Sequence, residues 1–312
     1  MKKQKTKVAV LMGGVSSERE VSLHSGAGVA KALRSAGFEV VEAVVDEADL
    51  GCLDGVAADA VFVALHGAFG EDGQVQRLLE KAGLPYTGSG PEASLLAMDK
   101  VQSKERFAAA GLVTPEFLVA EAPAAGAQRA AVMERLGPVV VVKPAAQGSS
   151  IGVSIVEADG LAAALSEAVS FDGRAVVERY IPGREITVGI VGEEALGVIE
   201  LRPHHKFFDY TAKYTKGETD YIIDPELPGG IAQEARAAAL AAFRSLGCRD
   251  LARVDMIYGD DGRLYVLEVN TIPGFTETSL VPMAAAARGR DFPALCGDLV
   301  RMATERVATR TC

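Results

Sequence analysis

The stretch RVDMIYGDDGRLYVLEVNTIPG, residues 253–274, decides how the chain is read. VDMIY and LYVLEV are strand-like runs, and Asp261-Gly262 between them is a strong short hairpin signal. Four polar residues interrupt the apolar pattern: Arg253, Asp255, Glu268 and Asn270. Side chains alternate across a strand, so Arg253 shares a face with Asp255, and Glu268 with Asn270. With Asp261-Gly262 as a two-residue turn, Asp255 stands opposite Glu268 and Arg253 opposite Asn270. Like charges directly opposed on a sheet are destabilising. A hard cation such as Mg²⁺, which takes one or two carboxylates plus substrate phosphates, resolves the conflict. A solvated face with Arg253 as a salt-bridge partner resolves it equally well, so the rest of the chain has to choose.

Bulk properties narrow the classes. A chain of 312 residues is long for one core, and two or three domains are expected. Its 49% hydrophobic and 24% charged content is ordinary for a globular protein. The net charge of −10 argues against a nucleic-acid or anionic-membrane binder, either of which needs a large basic face. Local basic sites for a small anionic ligand remain open. Cys52, Cys248, Cys296 and Cys312 are scattered without metal-ligand spacing and read as reduced thiols of a cytosolic protein. The apolar run in MKKQKTKVAVLMGG is too short for a signal-peptide core, and no later segment suits a bilayer span. A soluble, cytoplasmic protein is the expectation.

Along the chain, KVAVLM reads as a buried first strand, followed by a Gly-Gly turn and a helix over roughly 18–36. FEVVEAVV and DAVFVAL add two strands, and the alternation with helical sequence implies a parallel sheet covered by helices. This first unit spans 1–97. A second, 98–182, begins with the helix of MDKVQSKERFAAAG and carries an Ala/Pro-rich loop at 120–127. The strand PVVVVKP, the loop AQGSSIG, a helix and the strand AVVERY follow, and the unit ends at a hinge, IPG. The third, 183–312, holds strands ITVGIV and ALGVIEL, a polar loop at 203–230, an Ala-rich helix over 231–246, the opening hairpin and a final helix.

Each candidate motif has a plain alternative. LMGGVSSEREVS lacks the G-x-G-x-x-G spacing of a dinucleotide site, and its serines and Glu18 also suit a capped, acidic helix start. HGAFGEDGQVQ follows a strand directly, where open α/β sheets bind ligands, so His66 and Glu71 are either site residues or incidental to a glycine-rich loop. In VVVVKPAAQGSSIGV a strand-end lysine, Lys143, precedes a glycine-bearing loop whose backbone N–H groups suit a polyphosphate; it is not a Walker A loop. ERYIPGRE places Glu178 and Glu185 about a hinge that reads as an adenine and ribose site or as a charged linker. HHKFFDYTAKYTKGETDY, polar, aromatic and lysine-bearing, suits a lid over an anionic site.

Together these motifs resemble the ATP-grasp superfamily, and within it the D-alanine–D-alanine ligases. The resemblance runs in order through GGVSSEREVSLHSG, HGAFGEDGQVQ, MDK, VVVVKPAAQGSS, ERYIPGRE, DYTAKY, ARVD and LEVNTIPGFTETSL, essentially the whole chain. Small departures are Arg77, where the family usually has a small residue, and Asp250, where glycine is common. Neither replaces a polar residue implicated in catalysis. The implied fold is α/β with α+β subdomains, a three-domain ATP-grasp architecture with a parallel-sheet N-terminal domain.

The resemblance also implies roles. Lys100, Lys143 and the lid residue Lys213 would contact ATP phosphates. Glu178 with backbone at Tyr180 and Ile181 would hold adenine, and Glu185 the ribose. Asp255, Glu268 and Asn270 would ligate two Mg²⁺ (or Mn²⁺) ions, with a monovalent cation such as K⁺ as a further family feature. Glu18 would anchor the ammonium of the first D-alanine, with His66 near its carboxylate, while Ser279 and Leu280 would take the carboxylate of the second. Arg253 and the backbone N–H of Gly274 would stabilise the tetrahedral oxyanion. Ser149 and Tyr214 would tie loop and lid to Glu18, excluding water from an acyl phosphate. A homodimer is the family expectation.

Competing readings are another ATP-grasp carboxylate–amine ligase, which the motifs around Glu18 and His66 disfavour, and an ATP-binding protein without turnover, which the intact Arg253, Asp255, Glu268 and Asn270 disfavour. An NAD dehydrogenase lacks its glycine fingerprint. Relatives preferring D-lactate usually carry histidine in the lid, where an imidazolium repels the ammonium of an amino acid. Tyr214→His is therefore expected to shift use of the second substrate toward D-lactate in a paired assay; an unchanged preference for D-alanine would count against this reading.

Overall fold

The structure, a computed structural model, describes residues 5–121, 126–204 and 219–310. Its first sheet is built from β1 (Lys7–Gly13), β2 (Glu39–Val45) and β3 (Ala60–Val63), in the order β2-β1-β3 and parallel throughout. Helix α1 (Arg19–Ser35) links β1 to β2, and α2 (Gln74–Lys81) follows β3. Strand periodicity explains the unbroken apolar run of β1. Val8, Val10 and Met12 enter one core, and Ala9 and Leu11 enter another on the opposite face. A parallel sheet buried on both faces needs such a run. Gly26 sets how closely α1 lies on β1, because a Cβ there would stand 2.4 Å from Met12 Cβ.

Helices α3 (Pro91–Met98) and α4 (Lys100–Ala109) lead to a four-stranded antiparallel sheet. It comprises β4 (Phe117–Ala120), β5 (Val139–Pro144), β6 (Ser154–Glu157) and β7 (Ala175–Arg179), in the order β4-β7-β5-β6. Helices α5 (Gly126–Leu136) and α6 (Leu161–Asp172) belong to the same region. Val140, Val142, Ala175 and Val177 pack beneath α6 on one face. By alternation the other face carries Val141, Lys143 and Glu178.

The third sheet joins β8 (Gly183–Val191), β9 (Glu194–Pro203), β10 (Thr219–Ile223), β11 (Leu251–Gly259) and β12 (Leu264–Asn270), in the order β10-β9-β8-β11-β12, all antiparallel. Helix α7 (Ile231–Ser245) covers one face through Ala235, Ala239 and Phe243, against Ile186, Val188, Val254 and Met256. Two helices close the described chain, α8 (Leu280–Ala286) and α9 (Phe292–Arg310). The second returns to the first sheet, where Leu295, Leu299 and Val300 share a core with Val8 and Phe62. The long polar loop expected at 203–230 contains β10, and one expected final helix is two. Helices α2, α3 and α5 and strand β4 have sequences too short or too Ala-rich for periodicity alone to reveal them.

The hairpin differs from its sequence reading in an instructive way. Tyr258 pairs with Leu264 and Gly259 N–H donates to Arg263 O at 2.9 Å, so the loop has three residues, with Gly262 left-handed at φ 81°. A three-residue loop alone would slip the register by one. A bulge between the Asp255 and Met256 pairings, which leaves Leu267 unpaired, restores it. Asp255 therefore still faces Glu268, and Arg253 faces Asn270. The departure at Asp250 also has a local reason. Its φ of 63° lies in the region glycine occupies freely and aspartate tolerates. Its carboxylate accepts from Gly88 N and from the two terminal guanidinium nitrogens of Arg306, Nη1 and Nη2, at 3.0–3.3 Å.

Gly26→Ala should lower stability by about 1–3 kcal/mol through overpacking against Met12. Gly28→Ala, whose Cβ would meet nothing closer than 3.9 Å, should be neutral or stabilising. Urea melts of both variants check this, and equal responses would contradict the close approach.

Candidate active site between the antiparallel sheets

The face of the four-stranded sheet bearing Lys143 and Glu178 turns toward the face of the five-stranded sheet bearing Glu185, Asp255 and Glu268. Between them lies a cavity of about 700 Å³, a usual size for a small-ligand site. The bulge in β12 matters here. Leu264 and Val266 point into the core beneath α7, and strict alternation would send Glu268 there too. With Leu267 unpaired, Leu267 and Glu268 both line the cavity, and Val269 returns to the core.

At one wall Glu178 is buried between two lysines. Lys143 Nζ lies 2.9 Å from Oε2 and Lys104 Nζ 3.1 Å from Oε1. Burial alone would raise its pKa, yet the two ammonium groups outweigh it and hold the carboxyl down to about 2. Lys104 is fully enclosed, which brings its pKa down to about 8 despite Glu178. Burial also acts downward on Lys143, but there Glu178 and Glu268 prevail and raise it. Lys100, the first residue of α4, is lowered by burial, against the pull of Glu268, and its Nζ donates to Gln147 O. Asp99 caps the same helix, its Oδ1 accepting from Val101 N and Gln102 N at 3.0 and 3.1 Å. Tyr180 and Ile181 continue the wall along the β7–β8 connection, and Glu185 continues it along β8.

Across the cavity, Arg253 grips Asp255 with both ends of its fork, Nε and Nη2 each at 2.8 Å. Thr187 Oγ1 donates to Asp255 at 2.6 Å, and Asn270 Nδ2 at 3.0 Å. Among the described residues no group of three His, Cys, Asp or Glu side chains is placed to hold a metal ion by itself. The donor set is two carboxylates and an amide oxygen, an incomplete shell that suits a hard divalent ion completed by phosphate oxygens and water. The Arg253–Asp255 ion pair of the alternative reading is present, but Asp255 is buried and not on a solvated face.

A smaller cleft shares Lys100, Gln147 and Glu268 with the cavity and reaches Glu71, Gly148 and Asn270. Beside it Glu18 is buried and accepts a hydrogen bond from Ser149 Oγ. Ser149 and Ser150 both have left-handed backbones, φ 52° and 58°, a conformation that needs outside support; the Ser149–Glu18 contact supplies some. His66 is buried with Nε2 at 3.2 Å from Ser25 Oγ and Nδ1 at 3.3 Å from Glu71 Oε1. Burial raises the Glu71 pKa, opposed by His66. Ser279 precedes α8, where its Oγ accepts from Thr276 N at 3.0 Å, and a Cβ on Gly274 would stand 3.6 Å from that oxygen. Leu280 begins α8 and packs on the core of the first sheet.

Lys213 and Tyr214 lie outside the described residues. Lys104 and Thr187, by contrast, were missed in the sequence. One sits a helical turn after Lys100, where a lysine reads as a solvated residue, and the other as an ordinary strand threonine.

Comparisons with known proteins agree with one another. The family model described as D-ala D-ala ligase C-terminus matches residues 107–301, and that described as D-ala D-ala ligase N-terminus matches residues 53–89. A D-alanine–D-alanine ligase of Anaeromyxobacter sp. (strain Fw109-5) is 50% identical over 93% of this chain and 94% of its own. One from Desulforudis audaxviator is 47% identical over 96% and 99%. Among solved structures, the D-alanine–D-alanine ligase of Bacillus anthracis complexed with ATP is 34% identical, with a TM-score of 0.84 over 98% of this chain and 100% of that one. The VanG D-Ala:D-Ser ligase of Enterococcus faecalis is 28% identical, with a TM-score of 0.81 over 96% and 99%.

The depressed Glu178 pKa has a measurable consequence. A carboxyl with a lowered folded-state pKa adds stability that is complete above its unfolded value and is lost as pH falls through the folded one. Glu178→Gln, which leaves two buried lysines without their anion, should cost about 3 kcal/mol near neutrality. That difference from the parent should shrink as pH drops below the ordinary 4.5 toward about 2. Urea melts across acid pH test it; a pH-independent gap would contradict the assignment.

Proposed function

The chain belongs to the D-alanine–D-alanine ligase family, and we propose that it joins two D-alanine molecules into D-alanyl-D-alanine with ATP converted to ADP and phosphate, for peptidoglycan precursor synthesis. The observation that carries this reading is the single cavity into which Lys100, Lys143, Glu178, Glu185, Asp255 and Glu268 all project, joined at its edge to the cleft beside Glu18. Cations that bind phosphates and carboxylates that bind a metal line one space, next to a buried anion suited to an ammonium group.

In this mechanism adenine takes Glu178 and the backbone at Tyr180 and Ile181, and the ribose takes Glu185. Lys100 and Lys143 hold the phosphates. Glu18 holds the ammonium of the first D-alanine and His66 orients its carboxylate. A carboxylate is a poor electrophile. Its oxygen therefore attacks the γ-phosphorus, the β–γ bridge breaks, and ADP leaves the acyl phosphate behind. The amine of the second D-alanine, held near Ser279 and Leu280, attacks the acyl carbon and loses a proton, and phosphate departs. Arg253 and Gly274 N–H face the oxyanion. Asp255, Glu268 and Asn270 would hold Mg²⁺ (or Mn²⁺), which when bound neutralises the phosphoryl oxygens. Ser149 closes the loop over Glu18; Lys213 and Tyr214 take their lid roles from the resemblance alone.

The same reading divides the chain into units at 1–97, 98–182 and 183–312 and makes it a cytoplasmic homodimer, with K⁺ as an accessory ion. No helix among the described residues is long and apolar enough to cross a membrane. Release of ADP should require D-alanine, fail with L-alanine, cease with EDTA and return with Mg²⁺, with the dipeptide identified by mass. D-serine and D-lactate arms test the second substrate. ATP binding without turnover in every arm would sink the substrate assignment.

A further inference from the structure

Lys104 has no place in the mechanism above, yet it is the most enclosed charged side chain beside the cavity. Its side chain is 0% exposed, and it is absent from the cavity wall that Lys143 and Glu178 form. A buried ammonium needs its hydrogen bonds met. Here Nζ donates to Thr114 Oγ1 at 2.6 Å and to Pro115 O at 3.4 Å, and stands 5.3 Å from the centre of the Phe117 ring. These partners lie on the segment leading into β4 and on β4 itself. They fix Lys104 without help from Glu178.

Glu178 Oε1 stands 3.1 Å from Lys104 Nζ and has no other hydrogen-bond partner among the described residues. Lys104 therefore serves it as a fixed charge. Oε2 faces Lys143 at 2.9 Å. The count is two cations on one anion, and only Lys143 opens on the cavity. Such a carboxylate with Lys143 as its only partner would hold it tightly, because separating a buried pair leaves an uncompensated charge. With Lys104 in place, Lys143 can turn to a phosphate while Glu178 stays neutralised from behind.

We propose that Lys104 is a positioning residue whose function is to compensate Glu178 permanently, releasing Lys143 to the phosphates of the nucleotide. The inference rests on the nucleotide reading of the cavity. It makes Lys104 act through Lys143, without touching substrate.

Binding of ADP with Mg²⁺ and of adenosine, measured by calorimetry on the full chain, separates the two levels. The quantity read is the ratio of the two dissociation constants, the advantage that phosphates confer. Lys143→Met should reduce it about tenfold or more, the loss of one charge-assisted hydrogen bond. Lys104→Met should reduce it similarly, and in the double variant it should fall no further than in Lys143→Met alone. In turnover, Lys104→Met should raise KM for ATP and leave KM for D-alanine unchanged. An intact advantage in Lys104→Met, or losses that multiply in the double variant, overturns the proposal, as does equal weakening of ADP and adenosine. If Lys104→Met does not fold, Thr114→Val, which removes the hydroxyl aiming Nζ, decides: a reduced advantage supports the proposal and an unchanged one overturns it. A parent protein that binds ADP no better than adenosine would instead sink the nucleotide reading itself.

Discussion

A carboxylate with 1% of its surface exposed, Glu178, lies on the inner face of the four-stranded sheet with a lysine on either side. Much of the site depends on that placement. Taking such a group out of water is costly unless opposite charge and hydrogen bonds replace the solvent. The replacement comes from two directions. Lys143 enters along the sheet from β5, and Lys104 enters from α4, aimed by Thr114 and Pro115. Helix, sheet and connecting segment are thereby fixed around one anion, and α4 also presents Lys100 to the loop at Gln147. The positive charge that a polyphosphate needs is thus held in place by contacts within the fold, which is the usual meaning of preorganisation.

The opposite wall solves a different problem. Its carboxylates must face the cavity, although the strand that carries Glu268 also supplies Leu264, Val266 and Val269 to the core. One unpaired residue, Leu267, allows both. It shifts the parity of β12 midway, so apolar residues on either side of it reach the core and Glu268 still reaches the cavity. Arg253 and Thr187 then hold Asp255 in a single orientation. Removing the bulge would turn Glu268 into the core and leave Asp255 without its opposed carboxylate on the wall.

Legibility in the sequence followed the range of the signal. The parallel sheet of the first unit was visible because a strand buried on both faces is apolar at every position, as in KVAVLM. The pairing of Asp255 with Glu268 was read correctly, but from a turn of the wrong length. The three-residue loop and the bulge offset each other, and neither leaves a mark that alternation alone would show. Glu18 and Ser149 are 131 positions apart and meet only through tertiary structure; ordered motifs brought them together by resemblance where spacing could not. Lys104 was invisible for the opposite reason. Within a helix rich in Lys, Glu and Arg, a buried lysine looks like its solvated neighbours until the sheet that encloses it is known.

The central claim is that this arrangement activates a carboxylate by phosphorylation and then transfers the acyl group. D-alanine labelled with ¹⁸O in both carboxyl oxygens, incubated with unlabelled ATP and Mg²⁺, tests it directly. The account predicts that each inorganic phosphate released carries one ¹⁸O from the first D-alanine, while its other label stays in the peptide carbonyl. Phosphate free of label, formed alongside the dipeptide, would contradict it.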